Sequence, residues 1–206
     1  MYDRKLRMAR PSAEQIAAWR QDISIHARIG GQQLDLVSTW GLFSPEAVDD
    51  GSRLLLEHVD ATSCRDILDL GCGYGVLGLT LALRAPQAQV LLVDKDFVAI
   101  EYARRNIARL QLTQAEALLS NGLQHIPADR RFDLVVCNLP AKASKEQHYL
   151  FLVDVFERLR PGGEFVVVSI NGLREFMART LTEVFGQAEK RKQGATYTIS
   201  AARKPD

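Results

Sequence analysis

The sequence predicts an α/β fold, a doubly wound and mostly parallel sheet of seven strands that is preceded by a helix and a β-hairpin. From Arg65 onward, short apolar segments alternate with segments of helical periodicity. The inner apolar segments are hydrophobic on both faces, which is typical of parallel strands covered by helices on both sides. A glycine-rich turn separates the first of these strands from its helix. The crossovers between such strands are expected to be right-handed.

Length and composition favour one structural domain with an ordinary core. The chain has 206 residues, of which 47% are hydrophobic and 25% are charged, as in typical globular proteins. We expect an N-terminal addition over residues 1–60 to pack on a core over residues 61–206. The net charge of +1 excludes a global field that would attract nucleic acid or an acidic membrane.

Cysteine usage and hydropathy indicate a cytoplasmic protein. Cys64, Cys72 and Cys137 are scattered and odd in number, which argues against a disulfide framework and a zinc site and favours reduced thiols. The N-terminus has no apolar signal-peptide core. No run approaches the ~18 apolar residues of a membrane span.

The N-terminal 60 residues predict four elements in order. Residues 1–11 form a basic arm, and a short helix runs to Trp19. Apolar residues alternate on both sides of Gly30-Gly31, which predicts a β-hairpin. After a loop, a helix is predicted from Ser52 to His58.

The remaining elements follow from hydrophobic periodicity and from turn residues. The predicted strands are 66–70, 89–94, 115–119, 132–137, 164–170 and 196–201, and the predicted helices are 76–84, 97–110, 146–159 and 173–185. A turn is predicted at Pro161-Gly162-Gly163.

The glycine-rich turn predicts a ligand-binding loop. Residues 73–78 match the pattern G-x-G-x-x-G, and Asp94 follows by about 20 residues, as dinucleotide sites require. Asp69, just before the loop, would repel a pyrophosphate. It would instead favour S-adenosylmethionine, which carries an ammonium and a sulfonium. Asp94 is placed to accept hydrogen bonds from ribose hydroxyls, or to cap the helix that begins at Phe97.

The segment DLGCGYG at residues 69–75 resembles motif I of class I S-adenosylmethionine-dependent methyltransferases. Residues 41–44 and 48–52, GLFS and VDDGS, resemble the segment upstream of motif I in the "methyltransferase small" domain family. That family includes ribosomal RNA guanine-N2 methyltransferases and archaeal single-domain relatives. The likeness spans roughly residues 23–204. It implies a Rossmann-like methyltransferase fold, S-adenosylmethionine as cofactor, and transfer to a planar exocyclic nitrogen, first of all guanine N2 in ribosomal RNA.

The resemblance also implies a set of cofactor contacts. They are Phe43, Ser44, Asp69, Gly71, Cys72, Gly73, Gly75, Asp94, Lys95, Asn121, Gly122 and Asn138. For several of these residues, a role in local structure that involves no cofactor stays open. Phe43 and Ser44 fit a hydrophobic staple and a helix cap before Pro45, Asn121 fits a simple turn residue, and Lys95 fits a surface charge.

The predicted catalytic residues are Asn138, Leu139 and Pro140, where related enzymes have Asn-Pro-Pro-aromatic. The resemblance implies that the Asn138 side-chain oxygen and the Leu139 carbonyl accept the N–H groups of the target amine. Ala141 stands where the aromatic residue would stack on the base. Trp40, Phe43 or Tyr149 are candidates for a replacement ring. Alternatively, the substrate is not a nucleobase, or Asn138 merely caps the following segment.

Three basic clusters and four histidines complete the candidate residues. The basic clusters fit either RNA phosphates or solvated surfaces; they are Arg4, Lys5, Arg7 and Arg10, then Lys142 and Lys145, then Lys190, Arg191 and Lys192. The histidines show no metal or triad spacing, and His148 lies nearest the proposed site; they are His26, His58, His125 and His148.

The predicted function is therefore that of a methyltransferase acting on RNA, as a monomer or a homodimer. Three alternatives stay open from the residues. The enzyme could act on a small molecule or a protein, or the domain could bind RNA or a protein without methylating. A nicotinamide-dependent oxidoreductase is the third, because of the glycine pattern.

Overall fold

The computed structural model describes residues 11–19, 21–140 and 144–206. Most of the expected basic arm, as well as Ala141 and Lys142, therefore lies outside the described residues. The N-terminal elements are α1 (Ala13–Trp19), β1 (Ile23–Ile29), β2 (Gln32–Ser38) and α2 (Asp50–Glu57). Strands β1 and β2 form the predicted antiparallel hairpin. Its turn uses Gly30 and Gly31 at φ 55° and 84°, the left-handed conformation that two-residue hairpins favour.

The core elements follow the predicted order, with one additional strand near the C-terminus. In chain order they are β3 (Asp66–Leu70), α3 (Val76–Arg84), β4 (Gln89–Asp94), α4 (Phe97–Arg109), β5 (Ala115–Leu119), β6 (Phe132–Asn138), α5 (Lys145–Arg158), β7 (Leu159–Ile170), α6 (Arg174–Phe185), β8 (Glu189–Gln193) and β9 (Tyr197–Arg203). Among the described residues, no helix is both long enough and apolar enough to cross a bilayer.

The core strands form one seven-stranded sheet in the order β5-β4-β3-β6-β7-β9-β8. Strands β3 to β7 are parallel, and β9 runs antiparallel to both β7 and β8. This confirms the predicted doubly wound, mostly parallel sheet. The chain moves outward in opposite directions from β3 and β6, so the carboxyl ends of these neighbours form the crevice where such sheets bind ligands.

Each face of the sheet has its own apolar core. One face packs under α2, α3, α4 and the hairpin, with Ile67 and Val136 among its buried strand residues. The opposite face packs under α5 and α6, with Leu68 and Val135. Neighbouring strand residues point to opposite faces, which explains why the strands are apolar throughout.

The N-terminal hairpin is attached to the core through Asn106 on α4. This side chain is fully buried. Its Nδ2 donates to the carbonyls of Val37 and Tyr74, both at 2.9 Å, and its Oδ1 accepts from the Val37 amide at 2.8 Å. One amide therefore satisfies both backbone groups of Val37 on β2 and also holds Tyr74 of the glycine loop.

Several predicted boundaries are wrong for identifiable reasons. Strand β7 runs through the Pro161-Gly162-Gly163 segment, where a turn was predicted, because Gly162 and Gly163 pair with Lys204 and a register shift against β6 absorbs the extra residues. Strand β8 was not predicted, because its sequence EKRKQ is almost entirely solvent-exposed and lacks apolar alternation. A 3₁₀ turn at Asn171–Leu173 precedes α6, and α2 begins at Asp50 instead of Ser52.

Candidate active site

The carboxyl edge of the sheet collects most of the predicted site residues. The glycine loop follows β3, Asp94 ends β4, Asn121 and Gly122 follow β5, and Asn138 ends β6. Parallel strands end at the same edge, so segments up to 70 residues apart in sequence meet around one crevice.

The glycine loop adopts a conformation that only glycine reaches without strain. Gly71, Gly73 and Gly75 have φ values of 74°, 55° and 101°, which glycine tolerates because it has no Cβ. A Cβ added at Gly71 or Gly73 would meet nothing within 4 Å, so open space lies beside both residues. Gly78 differs, because a Cβ there would lie 2.7 Å from Leu92 Cγ. It permits close packing of α3 on the sheet.

Asp94 is held by the glycine loop. Its Oδ2 accepts from the Gly73 amide at 2.9 Å, and its Oδ1 accepts from the Asp96 amide at 2.9 Å. The cap of α4 is Asp96, which accepts from the Val98 amide at 2.8 Å, so the capping explanation for Asp94 is wrong. A carboxylate oxygen accepts two hydrogen bonds, which leaves each Asp94 oxygen able to accept a ribose hydroxyl.

Asp69 lies beneath the loop, not on its surface. Its side chain is fully buried, and Oδ2 accepts from the Gly78 amide at 2.7 Å. Within the described part of the chain, Oδ1 has no partner. Burial raises the pKa of Asp69 to about 7; the nearby charge of Asp94 adds to this effect, and the Gly78 bond opposes it. Direct contact between Asp69 and a cofactor stays a prediction.

Cys72 is also buried, and burial raises the pKa of its thiol well above the ordinary value. Its backbone amide, with that of Gly71, donates to the Val93 carbonyl at 3.0 and 2.9 Å. The backbone of Cys72 therefore shapes the loop, while its side chain packs inward.

The segment around Phe43 and Ser44 covers the glycine loop. The Tyr74 hydroxyl donates to the Ser44 and Ala47 carbonyls at 3.1 and 3.4 Å, which fixes this segment to the loop. Ser44 has φ 48° and donates to Ala47, and no helix begins at Pro45, so the capping explanation for Ser44 is wrong. Phe43 is 66% exposed and is free to contact a ligand.

The turn after β5 is organised by Ser120. Its buried hydroxyl donates to the Gly122 carbonyl at 2.8 Å and accepts from the His125 amide at 3.1 Å. Asn121 is exposed at the tip, and Gly122 has φ 58°. Lys95 is exposed beside Asp94. The roles of these last three residues in cofactor binding stay predictions.

Asn138 is half-buried, and its amide nitrogen points toward α2. Nδ2 donates to Asp49 Oδ1 and to Ser52 Oγ, both at 3.1 Å. Within the described residues, Oδ1 makes no hydrogen bond. Ser144 caps α5 in a capping box with Gln147, so the capping explanation for Asn138 is wrong. The amide oxygen remains available as an acceptor.

The two residues after Asn138 are fixed by the surrounding structure. The buried Leu139 donates its amide to the Val168 carbonyl at 2.9 Å, which extends the parallel pairing by one residue. The Pro140 carbonyl lies 3.1 Å from His148 Nε2, and His148 is fully buried. The loop is therefore held from both faces of the sheet.

Sequence reasoning missed three residues of this site. Asp49 and Ser52 lie in a segment that supported the family resemblance, but no role was assigned to them. His148 was noted only as the nearest histidine, although its spacing from Ser144, which caps α5, places it one turn into that helix. Contacts made across 86 and 89 residues leave no local signal in the sequence.

The candidate rings and basic residues differ in their surroundings. Trp40, Phe43 and Tyr149 are exposed, and their role as a replacement for the stacking ring that Ala141 lacks stays a prediction. Lys145 Nζ lies 5.8 Å from the Phe176 ring centroid. Arg191 pairs with Glu164 at 2.5 Å and donates to the His58 carbonyl at 3.2 Å, so its guanidinium is committed to internal contacts.

Comparison with known proteins decides the family. The family model described as "Methyltransferase small domain" matches residues 33–201. The chain belongs to the methyltransferase small domain family. This membership confirms the resemblance inferred from the segments at residues 41–52 and 69–75.

Proteins similar to this chain are named as ribosomal RNA methyltransferases. The chain is 33% identical over 176 residues to the ribosomal RNA small subunit methyltransferase C of Pseudomonas syringae pv. syringae. This alignment covers 84% of the chain and 52% of the relative. It is 34% identical over 170 residues to the ribosomal RNA large subunit methyltransferase G of Ectopseudomonas mendocina, with 80% and 45% covered. The chain thus spans about half the length of the curated relatives it matches.

A solved structure of a similar methyltransferase has the same fold. The T. thermophilus 16S rRNA N2 G1207 methyltransferase RsmC, solved in complex with AdoMet and guanosine, superposes with a TM-score of 0.80 at 32% identity. The match covers 89% of this chain and 50% of that chain. A methyltransferase from Pyrococcus furiosus, at 22% identity and a TM-score of 0.65, shares the fold.

Proposed function

We propose that this chain is an S-adenosylmethionine-dependent methyltransferase that acts on a planar exocyclic amine, with guanine N2 in ribosomal RNA as the substrate. The observation that carries the proposal is Asn138 at the end of β6. Its amide nitrogen is used internally, and its oxygen is left as an acceptor beside the glycine loop. The related RsmC structure, which contains AdoMet and guanosine, supports the assignment of both ligands.

The residues of the crevice suit S-adenosylmethionine. The open space beside Gly71 and Gly73 suits close approach of a ligand to the backbone. Asp94 offers two acceptors for a ribose, and the buried Asp69 adds negative charge near the ammonium and the sulfonium. Because no phosphate has to be accommodated, these carboxylates are favourable. When bound, S-adenosylmethionine supplies a methyl group that is electrophilic because it is attached to a sulfonium.

The chemistry of the target requires orientation more than a strong base. The lone pair of an exocyclic amine is delocalised into its ring. Asn138 Oδ1 and the Leu139 carbonyl would each accept one N–H of the amine, which directs the lone pair toward the methyl carbon. The same two oxygens would stabilise the positive charge that develops on nitrogen during transfer.

The RNA substrate, the cytoplasmic location and the domain roles belong to the same proposal. The names of the relatives support ribosomal RNA as the substrate. Residues 1–60 would help to present the RNA to the core over residues 61–206. A ribosomal RNA substrate, together with the reduced thiols expected of Cys64, Cys72 and Cys137, is consistent with an enzyme of the cytoplasm.

Transfer of a radiolabelled methyl group tests the function. Total RNA, DNA and protein from a strain lacking the gene are incubated with the protein and labelled S-adenosylmethionine. We expect label in RNA only, recovered as N2-methylguanosine after digestion. Label confined to protein or to small molecules would contradict the RNA assignment. Binding of S-adenosylhomocysteine without transfer to any pool would indicate a domain that binds without methylating, the alternative suggested by Ala141.

The Asn138→Ala variant tests the proposed catalytic role. We expect methyl transfer to be lost, while S-adenosylhomocysteine still binds in a calorimetric titration, because the change removes an acceptor for the amine but leaves the glycine loop and Asp94 in place. Transfer near the wild-type rate would contradict the role of Asn138.

A further inference from the structure

The amide nitrogen of Asn138 has two partners, the N-cap residue of α2, Asp49, and Ser52 in the first turn of that helix. Asp49 Oδ1 and Ser52 Oγ each lie 3.1 Å from Nδ2. A primary amide has two N–H donors, so this pair accounts for its full donor capacity. Both contacts connect the proposed catalytic loop to a segment that precedes the glycine loop in sequence.

The two partners are themselves held in place. Asp49 caps α2, because its Oδ1 also accepts from the Ser52 amide at 3.1 Å. Ser52 is 4% exposed. A Cβ at Gly51 would lie 2.9 Å from Asp49 Oδ1 and 3.2 Å from the Tyr197 ring. The missing side chain at position 51 therefore allows the carboxylate and the ring to close over the start of the helix.

This arrangement decides which end of the Asn138 amide faces the crevice. Rotating the amide by half a turn would place its oxygen against the Asp49 carboxylate, which can only accept hydrogen bonds. It would also turn the amide donors toward the substrate. The carboxylate makes the retained hydrogen bond charge-assisted. Hydrogen bonds that are linked in series polarise one another, and this makes the outward-facing oxygen of Asn138 a stronger acceptor.

We propose that Asp49 and Ser52 are positioning residues that hold Asn138 as an acceptor and so select a nucleophile that donates N–H groups. An exocyclic amine fits this requirement. A carbonyl oxygen or an unprotonated ring nitrogen, each of which only accepts, does not. The inference rests on the proposed methyl transfer to an amine and adds the residues that determine which nucleophile the site accepts.

The first experiment observes the amide itself and does not depend on activity. The side-chain amide signals of Asn138 are identified in a nitrogen–proton correlation spectrum by their loss in Asn138→Ala. We expect Asp49→Ala to shift both amide protons and to speed their exchange with water. Asp50→Ala is the matched control, because it removes the same charge from the same helix turn without a contact to Asn138. Signals that are the same in wild type and Asp49→Ala would overturn the proposal.

The second experiment measures methyl transfer to ribosomal RNA from a strain lacking the gene. We expect Asp49→Ala to lower kcat by roughly 10- to 100-fold, since small misplacement of an orienting group costs about that much. The KM for S-adenosylmethionine should stay within about two-fold, because the glycine loop is untouched. Ser52→Ala, which loses one neutral hydrogen bond, should lower kcat by roughly 2- to 10-fold.

Conservative replacement separates positioning from a general loss of structure. Asn retains an acceptor oxygen and is a good helix cap, so Asp49→Asn should recover kcat to within about three-fold of wild type. An Asp49→Asn protein as slow as Asp49→Ala, or an Asp49→Ala protein as fast as the Asp50→Ala control, would overturn the positioning role. A wild-type protein that methylates no RNA would refute the proposed function instead, while the amide spectra would still decide whether Asp49 orients Asn138.

Discussion

At Asp69, burial opposes the negative charge that the side chain would ordinarily carry. Its carboxyl group is enclosed beneath the glycine loop and accepts one hydrogen bond, from the Gly78 amide at 2.7 Å, while Oδ1 is left without a partner among the described residues. A buried carboxyl is stabilised as the neutral acid. The same position is favourable for a carboxylate once a cationic ligand lies nearby, so the protonation of Asp69 should be coupled to cofactor binding.

The raised pKa of Asp69 predicts a particular dependence of stability on pH. Burial raises this pKa from 3.8 to about 7, so the folded state binds the proton more tightly than the unfolded state. The stabilisation is therefore fully present below pH 3.8 and is lost as the pH rises through about 7. We expect the melting temperature of wild type, relative to Asp69→Asn, to fall across this interval. If the melting temperatures of wild type and Asp69→Asn, measured by calorimetry without ligand, differ by the same amount from pH 4 to pH 8, the prediction is contradicted.

At the scale of elements, α2 and the hairpin connect the N-terminal addition to the crevice. The first turn of α2 holds Asn138 through Asp49 and Ser52. The outer edge of β2 is held by Asn106, which also binds the Tyr74 carbonyl in the glycine loop. Both sets of hydrogen bonds cross the interface between the N-terminal addition and the core. Changes in the addition should therefore alter the geometry of the site.

Replacement of Asn106 should destabilise the protein more than a surface change would. In Asn106→Ala, three backbone groups in Val37 and Tyr74 lose their partner, and unsatisfied buried groups are costly. We expect a loss on the order of 3 kcal/mol in the free energy of unfolding and faster amide exchange at Val37. Asn106→Asp keeps the acceptor for the Val37 amide but faces the Val37 and Tyr74 carbonyls with a buried carboxylate that cannot donate, so at neutral pH it should lose at least as much stability. Equal stability of wild type and Asn106→Ala in urea unfolding would contradict this role.

At the scale of the whole molecule, the order of the strands in the sheet determines where the candidate site forms. It brings the glycine loop, Asp94 and Asn138 to one edge. All these residues lie within a chain that spans about half the length of the relatives it matches. We therefore propose that the residues that hold the cofactor and the amine are contained in this chain.

Ligand binding to the folded state should stabilise the entire chain. At about 100 times its Kd, a ligand that binds only the native state adds about 2.7 kcal/mol, which for a chain of this size corresponds to roughly 5–10 °C in melting temperature. We expect this shift with S-adenosylhomocysteine and none with nicotinamide adenine dinucleotide, because Asp69 disfavours a pyrophosphate. A shift with the dinucleotide alone would support the oxidoreductase that the G-x-G-x-x-G pattern also permits.

Most of the fold could be predicted because its signals are local. The apolar strands, the helical stripes and the glycine turn are each expressed within a few neighbouring residues. The wrong predictions have the same origin, since in those segments the local signal is missing or misleading. Strand β8 carries no apolar alternation because it is an exposed edge strand. The start of β7 contains Pro161 and two glycines, which normally indicate a turn, yet pairing with Lys204 holds them in the strand.

By itself, the sequence determined the fold class, the glycine loop with its two acids, and the family to which the chain belongs. Only the tertiary structure decided how those residues are used. It buried the Asp69 side chain beneath the loop, gave the cap of α4 to Asp96, and turned the Asn138 amide toward Asp49, 89 residues away in sequence. The physical reason is that burial and long-range hydrogen bonds depend on which elements pack together, and no local pattern encodes that packing.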